Sequence, residues 1–250
     1  MKKILPILLL AASASTMAAH HGEATSEKIK AAMAADIRAE ADTKRDKNRK
    51  APQTLAFFGL KDNMKIVELV PGGGWYTKIL APVVSEKGQY YAALGTSRIG
   101  KILKQPGFEK AKIVAADAKL YRKDGERFFS LDANSLGVKD VDMVLTFRNY
   151  HNFGEEGRRK MNEISFNALK PGGIYAVVDH TARHMEEPNS ANRRRVDPVL
   201  AIKEIQEAGF ELVDYSTLHY RADDELRYEV GVKSVTGNTD RWTLKFRKPK

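Results

Sequence analysis

The chain reads Val-Glu-Leu-Val-Pro-Gly-Gly-Gly-Trp-Tyr-Thr from Val67 to Thr77, and this stretch decides the fold. An apolar run, Ile66 to Val70, ends at a proline and three glycines, and the amphipathic stretch Trp75 to Val84 follows at once. This order predicts a strand, a glycine turn and a helix. Such a turn brings backbone N–H groups and a helix N-terminus close to a ligand, which a Cβ atom would keep away. A tight strand-to-helix connection without a ligand is the alternative for the same residues.

The composition is that of a globular α/β protein with a basic surface. The 250 residues include 42% hydrophobic residues, enough for a sizeable core, and carry a formal net charge of +10. Much of the excess positive charge lies near the ends, at Lys44 to Lys50 and Arg241 to Lys250. The sequence has no recognised DNA- or RNA-binding motif beside this charge, so we predict no nucleic-acid partner. The chain has no cysteine, and therefore no disulfide.

The N-terminus has the pattern of a secretory signal peptide. Lys2 and Lys3 precede an apolar run from Ile4 to Ala12, and small residues follow to Ala19. The apolar run is shorter than the roughly 20 residues of a membrane span. We therefore predict a signal peptide over residues 1–19, a periplasmic mature protein, and no membrane span after the signal is removed.

Residues 20–60 are predicted to form a helical extension, which we call the N-terminal cap. Ile29, Met33 and Ile37 recur every four residues and give one apolar stripe on a helix. Pro52 then opens a second, short helix that ends near Gly59. The cap is expected to pack on a main domain of residues 61–250, as a lid or as part of a homodimer interface.

Strands and helices alternate through the main domain. The predicted strands are 65–70, 89–94, 127–131, 141–147, 174–179, 211–217 and 241–247, and the predicted helices are 75–84, 99–104, 109–121, 154–169 and 197–208. This alternation predicts a mostly parallel seven-stranded sheet with helices on both faces. The last two strands have no helix between them, so we expect an antiparallel pair at the C-terminus.

Four further motifs accompany the glycine turn in order along the chain. They are Phe147-Arg148-Asn149-Tyr150-His151-Asn152-Phe153, Lys170-Pro171-Gly172-Gly173, Arg195-Val196-Asp197 and Phe246-Arg247-Lys248-Pro249. With them, the chain resembles class I S-adenosylmethionine-dependent methyltransferases from about Arg45 to the C-terminus. More narrowly, it resembles exported bacterial methyltransferase-like proteins that carry the Pro-Gly-Gly-Gly-Trp-Tyr-Thr turn. The resemblance implies a Rossmann-like methyltransferase fold, S-adenosylmethionine as cofactor, and methyl transfer to an unknown acceptor, which we expect to be a small molecule.

The resemblance also assigns cofactor-binding residues. Glu68 corresponds to the acid that contacts the methionine end of the cofactor, and Asp132-Ala133, after the predicted third strand, corresponds to the pair that reads the adenine. The full predicted set is Glu68, Gly72, Gly73, Gly74, Asp132, Ala133 and Asn149. A helix or turn cap is the alternative for Asp132.

Two positions depart from the methyltransferase pattern. Val70 stands where the first glycine of the turn is usual, and Leu94 stands where the second strand usually ends in an acid that holds the ribose hydroxyls. A nicotinamide-dinucleotide site would also need an acid about 20 residues past its glycines, so Leu94 argues against that function as well. The alternative function is an exported, non-catalytic small-molecule-binding protein that has kept the methyltransferase fold.

Two histidines are the candidate catalytic residues. His151 follows the fourth predicted strand and His180 ends the fifth, so both are expected at the edge of the sheet where ligands bind. Histidine acts as a general base near neutral pH. A structural role in holding the loops is the alternative for His151, and Arg195 is expected to pair with Asp197. The histidine spacing matches no zinc pattern, so no metal site is predicted.

Overall fold

The computed structural model describes residues 22–250, so the predicted signal peptide lies outside the described residues. The described part of the N-terminal cap is four helices: α1 (22–34), α2 (Glu40–Thr43), α3 (Asp46–Arg49) and α4 (Ala51–Phe58). Ile29 and Ala32 of α1 are buried against the main domain. The indole Nε1 of Trp75 donates to the carbonyl oxygen of Asp42 over 2.9 Å, so the cap is joined to the glycine turn.

The main domain contains nine strands and three longer helices. The strands are β1 (Lys65–Leu69), β2 (Gln89–Ala93), β3 (Lys112–Val114), β4 (Lys119–Tyr121), β5 (Ser130–Asp132), β6 (Val141–Phe147), β7 (Leu169–His180), β8 (Glu211–Tyr215) and β9 (Arg241–Arg247). The helices are α5 (Thr77–Val84), α6 (Glu155–Ala168) and α7 (Pro198–Glu207).

Seven of these strands form one sheet in the order β3-β2-β1-β6-β7-β9-β8. All neighbouring pairs are parallel except those of β9, which runs antiparallel to both β7 and β8. The predicted mostly parallel seven-stranded sheet with an antiparallel C-terminal strand is thus confirmed. The order reverses between β1 and β6, and ligands of open α/β sheets bind at such a point.

Both faces of the sheet are covered by helices, which explains why most residues of its central strands are apolar and buried. Val67, Leu69 and Val144 belong to the core cluster that includes residues of α6 and α7. Ile66 and Met143 belong to the cluster that includes residues of α4 and α5. The alternation of side chains along each strand divides its residues between these two cores.

Three predicted elements between β2 and β6 were wrong. Residues 109–121, predicted as a helix, contain β3 and β4, and residues 99–104 form turns after a short 3-10 helix, Thr96–Arg98. The predicted third strand, 127–131, contributes β5, which pairs antiparallel with β4 in a separate two-stranded sheet. The third strand of the large sheet is β3, an exposed edge strand of three residues. Such a strand has too few apolar positions to show a period of its own.

Candidate active site

The glycine turn connects β1 to α5 at the carboxyl edge of the sheet. Gly72 and Gly74 have φ of 58° and 76°, and Val70 has a φ of 49°, in the left-handed region that β-branched residues rarely adopt. Val70 is held from two sides. Its N–H donates to the oxygen of Ala93 over 2.9 Å, and its oxygen accepts from Nδ2 of Asn149 over 2.9 Å. Val70 therefore takes a left-handed backbone conformation that favours glycine, and such strain is typical of ligand sites.

Glu68 lies beneath this turn. It is buried, and its Oε2 accepts hydrogen bonds from Thr77 Oγ1 at 2.7 Å and from the Tyr90 hydroxyl at 2.6 Å. Burial raises the pKa of Glu68 to about 7, although both hydrogen bonds and the positive charge of Arg49 act in the opposite direction. Glu68, the predicted cofactor contact, is thus a buried carboxyl group that changes from protonated to charged as the pH rises through neutrality.

The end of the second strand is apolar. Leu94 is buried and has a φ of 61°, and Gly95 follows it. A Cβ atom on Gly95 would lie 3.1 Å from Cδ2 of Leu120 and 3.6 Å from Cγ1 of Val70. Aliphatic groups therefore surround the position where the methyltransferase resemblance implies a ribose-binding acid.

The first acidic residue after the third strand of the sheet is Asp117, not Asp132. β3 ends at Val114, and the exposed Asp117 lies just beyond it, followed by Ala118. Asp132 instead ends β5 opposite Lys119, and Ala133 is buried in the core. The premise that placed Asp132-Ala133 after the third sheet strand is therefore wrong. The sequence has a second Asp-Ala dipeptide, Asp117-Ala118, which could have been found from the sequence. It was missed because residues 109–121 were predicted to form a helix.

His151 forms a buried pair with Asp179. The residue lies in the 3-10 helix Tyr150–Asn152 after β6, and its Nδ1 is 2.5 Å from Oδ1 of Asp179 near the end of β7. The Asp179 carboxylate also accepts from the backbone N–H groups of His151 and His180, at 2.9 and 2.6 Å. A carboxylate on Nδ1 leaves the lone pair on Nε2, the arrangement of a general base.

His180 lies beside this pair, with its ring 5.7 Å from that of His151. It is buried, and its Nδ1 is 2.9 Å from Oγ1 of Thr239. Burial, helped by the positive charge of Arg241, lowers the pKa of His180 well below its usual range. His180 is therefore neutral at physiological pH, and its partner ties it to the loop before β9.

A cavity of about 460 Å³ opens at His151, and most of its lining is apolar. Its lining includes His151, Phe128, Met185, Val196, Leu200 and Glu186. The cations in its wall are paired within the protein: Arg158 with Glu204 at 2.6 Å, Lys203 with Glu207 at 2.7 Å, and Arg195 with Asp224 at 2.9 Å. The predicted pairing of Arg195 with Asp197 was wrong, because Asp197 caps α7 and contacts His184.

One polar atom of the cavity wall lacks a partner. Oε2 of Glu186 is buried and accepts no hydrogen bond from the described residues. A buried acceptor without a donor is costly. Two residues of the cavity wall, His151 and Glu186, thus each carry an acceptor that has no donor among residues 22–250, Nε2 of His151 and Oε2 of Glu186.

No protein-family model and no curated protein sequence matches the chain. Among solved structures, a SAM-dependent methyltransferase from Aquifex aeolicus is similar over 89% of this chain and 97% of its own, with a TM-score of 0.56 and 17% identity. The [4+2]-cyclase SpnF matches over 81% and 80%, with a TM-score of 0.56 and 14% identity. The glycopeptide N-methyltransferase MtfA, solved with sinefungin, matches over 82% and 87%, with a TM-score of 0.52 and 15% identity.

These likenesses establish that the chain has the Rossmann-like methyltransferase fold. Because a cyclase shares that fold, the fold alone does not determine the reaction. Within residues 22–250, no cluster of three or more His, Cys, Asp or Glu side chains is arranged to hold a metal ion. In the same range, no helix has the length and hydropathy needed to cross a bilayer.

Proposed function

We propose that the protein transfers a methyl group from S-adenosylmethionine to a small-molecule acceptor. The observation that carries this proposal is the position of the glycine turn and the His151–Asp179 pair. They lie at the carboxyl ends of β1 and of β6 and β7, on the two sides of the point where the strand order reverses. A cofactor on the turn and an acceptor in the cavity at His151 would be neighbours.

The cofactor has a methionine end, a ribose and an adenine, and the residues present fit the methionine end and the adenine. No heavy atom lies within 4 Å of the position of a Cβ on Gly72, so a ligand's methionine end can approach that backbone. Asp117 is exposed after β3, where it can accept from an adenine amino group. The ribose finds no acid, since Leu94 occupies that position. We therefore expect binding weaker than in enzymes with the acid, by about tenfold or more for the missing charged hydrogen bonds.

The chain's own residues would handle the acceptor. When bound, the cofactor supplies an electrophilic methyl group on a sulfonium. His151 Nε2 takes the proton of an acceptor hydroxyl or amine, and Asp179 stabilises the imidazolium that results. Glu186 Oε2 accepts a second hydrogen bond and orients the acceptor. The apolar wall excludes water, so alignment of the acceptor contributes much of the rate.

Calorimetry on the mature protein tests the proposal with S-adenosylmethionine and S-adenosylhomocysteine as ligands. Wild type is expected to bind both. Asp117→Asn should weaken binding by about tenfold, while the matched change Asp132→Asn should leave it unaltered. The absence of heat with either ligand in wild type removes the proposal at its first step.

A non-catalytic small-molecule-binding protein is the second candidate, and the packing around Gly95 favours it. A Cβ atom on Gly95, the residue after Leu94, would contact only side-chain carbons of Leu120 and Val70, whereas the ribose of a cofactor would need polar contacts there. If this candidate is correct, native mass spectrometry would detect a different small molecule on the purified protein. S-adenosylhomocysteine would then bind only after Leu94→Asp, a change that the left-handed backbone tolerates better with aspartate than with leucine.

Export to the periplasm is part of the proposal, together with membership of the exported bacterial group. Export is supported by the N-terminal sequence from Lys2 to Ala19, in which basic residues come first, an apolar run follows and small residues come last. N-terminal sequencing of the protein from a periplasmic extract should begin near His20. Light scattering of that mature protein will test the possible homodimer.

A further inference from the structure

Three buried arginines surround the residues that follow the glycine turn. They are Arg38 and Arg49 of the N-terminal cap and Arg241 at the start of β9. Arg38 is neutralised, since its guanidinium forms an ion pair with Asp46. Arg49 and Arg241 form no ion pair within residues 22–250, and this distinguishes them from the buried arginines of the cavity wall.

Arg49 has no hydrogen-bond partner for its guanidinium among the described residues, and its buried Nε is one of the unsatisfied atoms. The residue is 6% exposed. Its Cζ lies 4.5 Å from the ring centroid of Trp75 and 5.7 Å from that of Tyr76. Burial lowers the pKa of Arg49 to about 10, and repulsion from Arg45 and Arg241 acts in the same direction. Arg49 is therefore still a cation at neutral pH.

Arg241 is also 6% exposed, and it lies opposite His180 in the pairing of β7 with β9. Among the described residues its side chain makes one hydrogen bond, from Nη1 to the oxygen of Asn48 at 2.6 Å, and its buried Nε makes none. Asn48 precedes Arg49 in the cap. The guanidinium of Arg241 thus reaches the cap at the residue before Arg49, where the sheet and the cap join, and the two positive charges repel each other.

Carboxylates act on both cations from a distance, Glu68 on Arg49 and Asp179 and Asp240 on Arg241, but none of them forms an ion pair with either guanidinium. Two buried cations without an ion pair are unfavourable. Taking a charge out of water is costly unless it is paired, and the ring faces of Trp75 and Tyr76 return only part of that cost. A guanidinium presents a planar fork of N–H donors that matches a carboxylate. A ligand's carboxylate would supply both the missing ion pair and the missing acceptors.

We propose that Arg49 and Arg241 form a binding site for a ligand carboxylate between the N-terminal cap and the carboxyl edge of the sheet. The site adjoins both halves of the crevice. On one side, the Trp75 ring under Arg49 belongs to the residue directly after Gly74 of the turn. On the other side, Arg241 pairs in the sheet with His180, the residue after Asp179. The carboxylate comes either from the methionine end of the cofactor or from the acceptor, and in both cases its identity rests on the proposed function.

The experiment compares wild type with Arg49→Gln, Arg241→Gln and Arg49→Lys. Lys47→Gln is the matched control, because it removes an exposed cation two residues away on the same helix α3. The first measurement is the melting temperature in sulfate against equal ionic strength of chloride, which needs no cofactor. The second is calorimetry with S-adenosylhomocysteine, which has the carboxylate, and with 5′-methylthioadenosine, which lacks it. Circular dichroism checks that each variant is folded.

Sulfate is expected to stabilise wild type, Arg49→Lys and Lys47→Gln more than either glutamine variant. If the carboxylate is the cofactor's, both glutamine variants lose about 10- to 100-fold in affinity for S-adenosylhomocysteine and little for 5′-methylthioadenosine. If the carboxylate belongs to the acceptor, both glutamine variants lose the response to sulfate and keep their affinity for the two nucleosides. The site is ruled out if both glutamine variants match Lys47→Gln in sulfate and in calorimetry. A wild type that responds to sulfate but binds neither nucleoside keeps this site and removes the methyltransferase proposal.

Discussion

Replacing Glu68 with glutamine should stabilise the protein at alkaline pH and much less at acidic pH. Burial raises the pKa of the Glu68 carboxyl from 4.5 to about 7. A carboxyl group whose pKa is raised on folding stabilises the folded state below its unfolded pKa, and that contribution is lost as pH rises through the folded value. One pKa unit corresponds to about 1.4 kcal/mol, so keeping Glu68 ionised costs the folded protein ~3 kcal/mol well above neutrality. Glutamine avoids this cost and keeps an oxygen that accepts from Thr77 and Tyr90.

Urea unfolding at about pH 5 and about pH 8.5 measures the effect. The gain of Glu68→Gln over wild type should be larger at the higher pH by ~2 to 3 kcal/mol. Glu163→Gln makes the same chemical change on an exposed carboxyl of α6, and its effect should stay within about 0.5 kcal/mol at both pH values. An equal gain for Glu68→Gln at the two pH values would refute the argument that desolvation dominates at this carboxyl.

Two further stability predictions follow from buried charges. Burial lowers the pKa of His219 from 6.5 to about 4. Wild type should therefore lose stability as pH falls from about 6.5 to about 4, and thermal melts of His219→Gln should show a shallower fall, by ~2 kcal/mol. Asp224→Ala leaves Arg195 buried without its partner, so urea unfolding should show a loss of about 3 to 5 kcal/mol. Asp223→Ala, at the exposed neighbouring position, should lose less than about 0.5 kcal/mol, and equal losses at the two positions would contradict the assignment.

The predicted elements that proved correct depend on signals within a few residues of each other. The apolar runs at β1 and β6 and the glycine turn before α5 specify strand, turn and helix from local sequence. β3 was missed because it has only three residues and lies at the exposed edge of the sheet. It is a strand because it pairs with β2, and not because its own residues show a strand period. Because of that one error, Asp132 rather than Asp117 was predicted to follow the third strand of the sheet.

The sequence by itself determined the Rossmann-like sheet, the strand after which each candidate histidine lies, and the two departures at Val70 and Leu94. Only the tertiary structure decided the partners: Asp179 for His151, Asp224 for Arg195, and for Arg49 two aromatic rings but no ion pair within the described chain. The physical reason is the range of the forces involved. Turns and periodicity act between neighbours in the chain, whereas ion pairs and desolvation depend on which distant segments the fold brings together and on how much water it leaves between them.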